Sequence, residues 1–349
     1  MSVAPGGEHP IHVAIRDLSV HYPLGRPLFG KPPMVRAVDG VSLDIPRAAF
    51  FGLVGESGSG KTTLGRAILR AAPVTAGHVT YRDAEVEYDV ASLGKVALRD
   101  FRRRAQLIFQ DPYAALSPRM TVRDIIAEPL EVMKLTASRE ETDARVRKMA
   151  ARCRLNLEHL RRFPHAFSGG QRQRISIARA LVARPRFVVA DESVAALDVS
   201  IQADILNLLK SLRDELRLTI LFISHDLSVV AHVCDMVAVM YLGAIVEAAP
   251  AHMLFAQPRH PYTSALFSAI PSLDPDRRGQ AQRLIGEIPS AANVPPGCRF
   301  NTRCPFAQDR CRVEVPAWRE VAPGHHAACH FSDELQPLLY ARAPGAAPG

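Results

Sequence analysis

A glycine-rich segment at residues 55–62 constrains the fold of this chain more than any other feature. It reads Gly-Glu-Ser-Gly-Ser-Gly-Lys-Thr, follows an apolar run at residues 50–54, and precedes residues 62–72, where apolar side chains recur at helical spacing. Glycines let backbone N–H groups close around a polyphosphate, and the following helix adds the positive end of its dipole. The segment therefore predicts a buried strand, a phosphate-binding loop and a helix, which is the start of an α/β fold.

The side chains of this loop suit a nucleotide with its magnesium ion. Lys61 supplies a positive charge for the phosphates, and Thr62 offers a hydroxyl to Mg²⁺. The alternative is a structural glycine-rich turn, but the flanking strand and helix favour a nucleotide site. The residues expected to contact the nucleotide here are Gly55, Ser57, Gly58, Gly60, Lys61, Thr62 and Thr63.

Two adjacent carboxylates follow the apolar run at residues 187–190. Asp191 and Glu192 stand at the carboxyl end of a predicted buried strand, where the ligands of parallel sheets collect. By itself, a pair of adjacent acidic residues after a strand is usually solvent-exposed and has no catalytic role. Together with the phosphate-binding loop, it predicts that Asp191 holds Mg²⁺ and that Glu192 polarises the attacking water.

A second glycine-containing helix start occurs at residues 168–171, which read Ser-Gly-Gly-Gln. Apolar residues recur at helical spacing from residue 172 to 183, so Ser168 is placed as the N-cap of a helix. The sequence, with its phosphate loop, this Ser-Gly-Gly-Gln and the carboxylate pair, resembles the ABC ATPase family. Its signature motif has this form and precedes the carboxylate pair by a short helix.

The resemblance assigns roles to further residues. It implies that Gln110 contacts Mg²⁺ and the attacking water, that His225 contacts the γ-phosphate, that Asp198 belongs to the D-loop, and that Tyr22 stacks on adenine. It also implies that such domains work as pairs. The phosphate loop of one chain and residues Ser168, Gly169, Gly170 and Gln171 of the other then enclose one ATP.

The remaining sequence fits a P-loop NTPase fold of the ABC ATPase type, with a mixed sheet and an inserted helical subdomain at about residues 111–180. Residues 11–22 alternate in the manner of an edge strand, and residues 237–247 predict a hairpin that closes the main sheet. We expect an ATPase domain at 11–260 and a cysteine-containing C-terminal extension at 261–340. Disordered ends are predicted at 1–10 and 341–349.

Charge and hydropathy bear on location and partners. The net charge is +8, but the basic residues are dispersed, so a nucleic-acid surface is not favoured. The longest uncharged apolar run, residues 236–246, is far short of the roughly 20 residues that a membrane-spanning helix needs. Residues 1–10 lack the features of a signal peptide. We expect a protein on the cytoplasmic face of the cell membrane, bound peripherally.

The C-terminal sequence narrows the resemblance. Residues 243–247, 254–255, 258–263 and 269–271 look like the tail of the oligopeptide and dipeptide importer ATPases, a group that also contains nickel and some sugar transporters. The loop at residues 23–33 and the segment 301–305 are more similar to the second of two ATPase subunits. The implied partners are a second ATPase subunit in a heterodimer, two membrane permease subunits, and an extracytoplasmic substrate-binding protein.

Four of the six cysteines, Cys298, Cys304, Cys311 and Cys329, crowd the extension. Four thiolates can hold zinc or an iron–sulfur cluster, and these gaps are wider than those of common zinc ribbons. The resemblance associates this region with a 4Fe–4S cluster, while zinc, free thiols and a mixed site with nearby histidines stay open. The other two cysteines are expected in the core.

The function that follows is ATP hydrolysis that powers import of peptides or a related small solute. The alternative is a soluble ABC-type ATPase that acts on nucleic acid. Such proteins usually insert coiled coils or zinc modules between the motifs. Here the segment between residues 62 and 169 has the usual length for a transporter ATPase. The sequence therefore favours transport.

Overall fold

The computed structural model describes residues 11–25, 32–195, 197–268, 270 and 286–335. The disordered ends predicted at 1–10 and 341–349 lie outside these residues, as does most of the loop predicted at 23–33. The strands are β1 Ile11–Pro23, β2 Met34–Pro46, β3 Phe50–Val54, β4 Ala76–Arg82, β5 Glu87–Asp89, β6 Ala105–Ile108, β7 Phe187–Asp191, β8 Thr219–Ile223, β9 Met236–Tyr241, β10 Ala244–Pro250, β11 Arg319–Ala322 and β12 His325–Ala327.

The helices alternate with these strands in the first two thirds of the chain and then become short. They are α1 Lys61–Ile68, α2 Lys95–Arg104, α3 Pro112–Ala115, α4 Val122–Val132, α5 Arg139–Arg152, α6 Gly169–Leu181, α7 Val199–Leu216, α8 Leu227–Val233, α9 Ala251–Ala256, α10 Pro261–Ser268 and α11 Asp309–Val313. None of the helices in the described part of the chain is long and apolar enough to cross a membrane.

The main sheet positions the functional residues. Within the described residues its strand order is β11-β12-β10-β9-β3-β8-β7-β6, and β9, β3, β8, β7 and β6 run parallel to one another. The carboxyl ends of these parallel strands therefore meet at one edge of the sheet. The phosphate loop follows β3 at this edge, and the carboxylate pair lies at the end of β7.

The hairpin predicted at residues 237–247 is present, but it does not close the sheet. Leu242 and Gly243 have φ angles of 44° and 82°, which suit a two-residue turn between antiparallel strands. Beyond β10, the extension adds β12 and then β11, both antiparallel. The extension is thus built into the main sheet, because β10 offers a free edge with which β12 pairs.

A second, antiparallel sheet has the order β2-β1-β4-β5 among the described residues. The prediction of β1 as an edge strand was wrong, since β1 pairs with both β2 and β4. The observed burial in β1 does not alternate. Residues 12–15 and 18–20 are buried in succession, so both faces of the strand are covered, and Arg16 and Asp17 between them are exposed.

Both faces of the main sheet are covered by apolar side chains. Phe50 and Val54 of β3 face a cluster formed with α4 to α9, whereas Phe51 and Leu53 face a cluster formed with α1 and the second sheet. Each large side chain buried in this way contributes roughly 1.5–3 kcal/mol relative to exposure. This packing explains why β3, β7 and β8 are buried at every position.

These elements confirm the predicted class, an α/β P-loop fold with a mixed sheet, an inserted helical segment and a cysteine-containing C-terminal extension. Helices α3 to α6 occupy the segment predicted as a helical subdomain at about 111–180. The division into domains at 11–260 and 261–340 stays a prediction. Cys153 and Cys234 are buried, as expected, although Cys234 follows α8 and not a strand interior.

Candidate active site

The phosphate loop brings its backbone close to neighbouring strands, and this closeness requires glycine. Gly55 and Gly60 have φ angles of 149° and 105°. A Cβ atom at Gly55 would lie 2.2 Å from the carbonyl oxygen of Met240, and one at Gly60 would lie 2.1 Å from that of Ala37. The loop can therefore keep its shape only with glycine at both positions, and it leaves the amino end of α1 without a side-chain cap.

Lys61 lies inside the loop. Its Nζ donates hydrogen bonds to the carbonyl oxygens of Gly55 and Glu56, both at 2.8 Å, and its residue exposure is only 5%. Burial lowers the pKa of Lys61, while Glu192, Asp191 and Glu56 oppose this shift. The ammonium group thus donates to backbone carbonyl oxygens. When a polyphosphate binds, phosphate oxygens would take the place of these acceptors.

Asp191 and Thr62 meet at the end of β7. The Thr62 hydroxyl donates to Asp191 Oδ1 at 2.9 Å, and the Asp191 residue is 2% exposed. Burial raises the pKa of Asp191, and the hydrogen bond from Thr62 opposes that rise. Paired oxygens from a carboxylate and a hydroxyl suit Mg²⁺, which uses few protein ligands beside substrate phosphates. The two residues fit that ion, whose charge would favour the ionised carboxylate.

Glu192 is held in a distinctive conformation. Its φ is 44°, in the left-handed region, and its N–H donates to the carbonyl oxygen of Ile223 at 3.0 Å. Gln110 Nε2 donates to Glu192 Oε2 at 2.6 Å, and His225 Nδ1 lies 3.4 Å from Oε1. Three residues predicted as catalytic from distant parts of the sequence therefore meet at one carboxylate, which can accept a proton from water.

The start of α6 has the cap predicted from the sequence. The N–H of Gln171 donates to Ser168 Oγ at 3.4 Å, and the N–H of Ser168 donates to Gln171 Oε1 at 3.0 Å, which together form a capping box. A Cβ atom at Gly170 would lie 2.5 Å from Ile201 Cγ2, and one at Gly169 would be 3.5 Å from Leu197. No hydrogen bond between described residues joins this helix end to the phosphate loop.

The other predicted nucleotide contacts lie around these centres. Asp198 is the N-cap of α7, with no cap hydrogen bond from its side chain. Tyr22 pairs with Val35 near the end of β1 and packs half-buried against the second cluster. Gly58 has open space where a Cβ would lie. Ser57 and Thr63 lie in the loop and in α1, and the roles of all five stay predictions.

The four cysteines of the extension surround one small cavity. Cys298, Cys304, Cys311 and Cys329 line it with Phe300, His260, His330 and other residues. Burial raises the pKa of Cys304 and Cys329 to about 12. Within the described residues, no group of three or more His, Cys, Asp or Glu side chains is arranged to hold a single metal ion. The predicted cluster is thus not confirmed, although the four thiols do converge.

Sequence reasoning missed two residues that hold Glu56 at the back of the phosphate loop. Arg303, from the extension, makes a two-pronged ion pair with Glu56, at 2.7 and 3.1 Å. The Tyr262 hydroxyl accepts a hydrogen bond from the N–H of Glu56 at 2.9 Å. Arg303 precedes Cys304, and Tyr262 follows the His-Pro pair. Both residues lie in segments that carry the resemblance to the peptide importer ATPases. Nothing in the sequence linked them to residue 56.

With this geometry established, the chain can be compared with known proteins. The family model for ABC transporters matches residues 38–195, and the model for the C-terminal region of oligopeptide/dipeptide transporters matches residues 246–311. A putative peptide import ATP-binding protein of Brucella suis is 51% identical over 317 residues, which cover 91% of this chain and 96% of that protein. The chain belongs to the ABC transporter family.

Two further relatives are ATP-binding proteins of peptide transporters. The oligopeptide transport ATP-binding protein AppF of Bacillus subtilis is 46% identical and covers 91% of this chain and 96% of its own length. The di/tripeptide transport ATP-binding protein DppF of Pseudomonas aeruginosa is 45% identical, with 92% and 97% covered.

Solved structures share the fold of this ABC ATPase. The ATP-binding cassette MJ0796, in a dimeric post-hydrolysis state bound to ADP and Pi, has a TM-score of 0.60 and 27% identity. It covers 68% of this chain and 98% of that one. CbiO1 of Clostridium perfringens, at 23% identity, has the same fold with a TM-score of 0.60, and covers 70% of this chain and 91% of that one. The chain is therefore an ATPase of the ABC type.

Proposed function

We propose that this ABC ATPase hydrolyses ATP to power the import of peptides, as one of two ATP-binding subunits beneath a membrane permease. One observation carries the chemistry: the Glu192 carboxylate lies between Gln110 and His225, beside the Asp191–Thr62 pair. The relatives at 45–51% identity carry names of peptide, oligopeptide and di/tripeptide transport, which supports the peptide class.

In this proposal each residue near the phosphates has a defined task. Glu192 takes a proton from the attacking water, Gln110 orients that water, and His225 contacts the γ-phosphate. Thr62, Gln110 and Asp191 would hold Mg²⁺, which supplies charge neutralisation on the phosphates. The proposed nucleotide contacts are Tyr22, Gly55, Ser57, Gly58, Gly60, Lys61, Thr62 and Thr63, with Asp198 at the subunit boundary.

The second glycine-containing helix end supports a two-subunit site. Ser168, Gly169, Gly170 and Gln171 present a helix amino terminus that no hydrogen bond of the described residues connects to the phosphate loop. A second ATPase subunit, in a heterodimer, would bring this helix end against the nucleotide on its partner. The dimeric structure of MJ0796, at 27% identity, supports pairing of this kind.

A groove between the main sheet and the helical segment supports a permease contact. Phe109, which is 43% exposed, lines a cavity of about 450 Å³ with Val132, Met133 and Arg179. Arg179 also donates to the carbonyl oxygen of Ala115, so the segment after Gln110 is fixed to α6. We propose that the two permease subunits insert helices into this groove and its counterpart, which places the chain on the cytoplasmic face of the membrane. An extracytoplasmic binding protein would deliver the peptide to the permease.

We further propose that Cys298, Cys304, Cys311 and Cys329 hold a 4Fe–4S cluster, because all four line one cavity. A tetrahedral zinc ion with bonds of about 2.3 Å would need its sulfurs within about 4 Å of one another. A four-iron cluster is held by four cysteine thiolates, and the four thiols around this cavity supply that number. Anaerobic purification should yield a brown protein with four irons per chain, whereas a colourless protein with one zinc would contradict this.

The test of the transport function uses the complete importer in lipid vesicles. In Glu192→Gln, ATP hydrolysis and uptake of labelled peptide should fall about 10²- to 10⁴-fold, since that is the usual contribution of a positioned base, while ATP still binds. The matched control is Glu215→Gln, because Glu215 is half-exposed and, among the described residues, forms its ion pair with Arg152. Near-normal hydrolysis in Glu192→Gln would refute the site. Stimulation by DNA, and not by the peptide-loaded binding protein, would favour the nucleic-acid alternative.

A further inference from the structure

The C-terminal extension reaches the phosphate loop through Arg303. Its guanidinium donates to both carboxylate oxygens of Glu56, the second residue of the loop, and its side chain is 5% exposed. The guanidinium is buried and the Glu56 carboxylate partly exposed, and a two-pronged Arg–carboxylate pair fixes direction as well as distance. The carboxylate of Glu56 is thus held by a residue that is adjacent to Cys304.

Tyr262 holds the backbone of the same residue. Its hydroxyl accepts the N–H of Glu56 at 2.9 Å, and its residue is fully buried. The Tyr262 ring packs against Tyr241 and Phe300, with ring centroids 4.6 and 5.4 Å apart. Phe300 lines the cavity of the four cysteines. A continuous set of buried contacts therefore runs from that cavity to the phosphate loop.

The loop needs such a restraint. Gly55, Gly58 and Gly60 all have positive φ, so the segment pays a large conformational entropy for its shape. Glu56 sits between the first two glycines. Its carboxylate and its N–H are held by residues outside the loop, while its carbonyl oxygen accepts from Lys61 within the loop. Arg303 binds its carboxylate, Tyr262 accepts from its N–H, and Lys61 donates to its carbonyl oxygen.

We propose that Arg303 and Tyr262 are positioning residues that hold the phosphate loop in its nucleotide-binding shape. ATP affinity then depends on the folded four-cysteine segment of the extension, which carries Arg303. This inference rests on the proposed function only in taking ATP as the ligand of the loop. It adds a role for the extension, which otherwise contributes two strands and a cysteine cavity.

The first measurement is binding of the fluorescent analogue mant-ATP to the purified full chain. Arg303→Met should raise its Kd by roughly 5- to 150-fold, the usual range for coupled sites. Arg303→Lys keeps the charge but not the two-pronged geometry, so it should restore part of the affinity. Tyr262→Phe should have a smaller effect in the same direction. The control is Arg310→Ala, which breaks an exposed ion pair with Glu314 inside the extension and should leave Kd unchanged.

The second measurement separates positioning from general stability. In the reconstituted importer, Arg303→Met should raise the KM for ATP while kcat at saturating ATP stays close to the original value. The double variant Glu56→Gln, Arg303→Met should bind no more weakly than the worse single variant, because both changes remove one interaction. These results together would establish the role of Arg303.

Two outcomes would overturn the inference. One is an unchanged Kd in a folded Arg303→Met or Tyr262→Phe protein. The other is a kcat that falls in step with thermal stability while KM stays the same. If Arg303→Met does not fold, Arg303→Lys and Tyr262→Phe decide the question alone. Failure of the unmodified chain to bind mant-ATP would instead refute the proposed function, so the two failures are distinguishable.

Discussion

Two helices of this chain begin after glycine-containing segments, and their amino ends are in opposite states. At α1, Gly60 is the N-cap with a φ of 105°, and no side chain caps the helix. At α6, Ser168 and Gln171 close a capping box. The first turn of a helix carries N–H groups without intrahelical partners. The end of α1 leaves these groups for a ligand, whereas α6 satisfies part of them within the chain.

The difference indicates how the two ends work. The α1 end can bind phosphate in a single chain, since Lys61 and the loop are already in place beside it. The α6 end is capped within the chain, which agrees with the proposal that it contacts a nucleotide only when two subunits pair. Four substitutions test this contrast between the α1 end and the α6 end.

Gly60→Ala should disrupt the loop shape that leaves the amino end of α1 uncapped. The new Cβ would lie 2.1 Å from the backbone oxygen of Ala37 at a φ of 105°, so the loop must move, and we expect a loss of more than about 3 kcal/mol in stability. Gly58→Ala is the matched control, because its Cβ meets nothing within 4 Å; it should cost about 1–2 kcal/mol. Urea unfolding of both variants measures the difference, and equal losses would contradict the steric argument.

Lys61→Ala should weaken ATP binding at the α1 end. Hydrogen bonds to charged groups contribute about 1.5–3 kcal/mol, which corresponds to roughly a 10- to 150-fold rise in Kd. Lys210→Ala serves as the control, since Lys210 lies on the surface and, within the described part of the chain, donates to the carbonyl oxygen of His232. Titration with mant-ATP gives both constants. An unchanged Kd in Lys61→Ala would show that the loop does not bind the phosphates.

Ser168→Ala should affect the α6 end only. Loss of the N-cap should lower stability by about 0.5–2 kcal/mol, because the N–H of Gln171 loses its acceptor. The single chain should still bind mant-ATP normally, while ATP hydrolysis by the complete importer should decrease. Reduced nucleotide binding in the single chain would mean that both helix ends act within one subunit.

Asp191→Asn should change the pH dependence of stability beside the α1 end. Burial raises the pKa of Asp191 in the folded state, so the folded chain binds this proton more tightly than the unfolded chain does. The protonated carboxyl group therefore stabilises the fold at low pH, and this contribution is lost as pH rises. The original chain therefore loses this part of its stability as pH rises from the unfolded pKa of about 3.9 to the folded value. The Asn variant should be slightly more stable than the original at pH 7 without nucleotide, and equal to it below about pH 3.5. Thermal melts at both pH values measure this.

The sequence by itself determined the local parts of the site. The phosphate loop between β3 and α1, the carboxylate pair after β7 and the cap at Ser168 all follow from apolar runs, glycine positions and cap residues within short windows. The family resemblance then selected Gln110 and His225, and the structure brings both to Glu192. Local patterns succeed here because each is fixed by neighbouring residues in the chain.

Tertiary structure alone decided the edges of the sheets and the contacts across the chain. The local sequence of β1 does not record how many strands pair with it, so the edge prediction failed. The hairpin β9–β10 likewise gave no sign that β12 would pair with β10. Glu56 and Arg303 are 247 residues apart, and their ion pair exists only because the extension docks behind the phosphate loop. A short sequence window carries no information on such docking, since it depends on surfaces that form only when the chain folds.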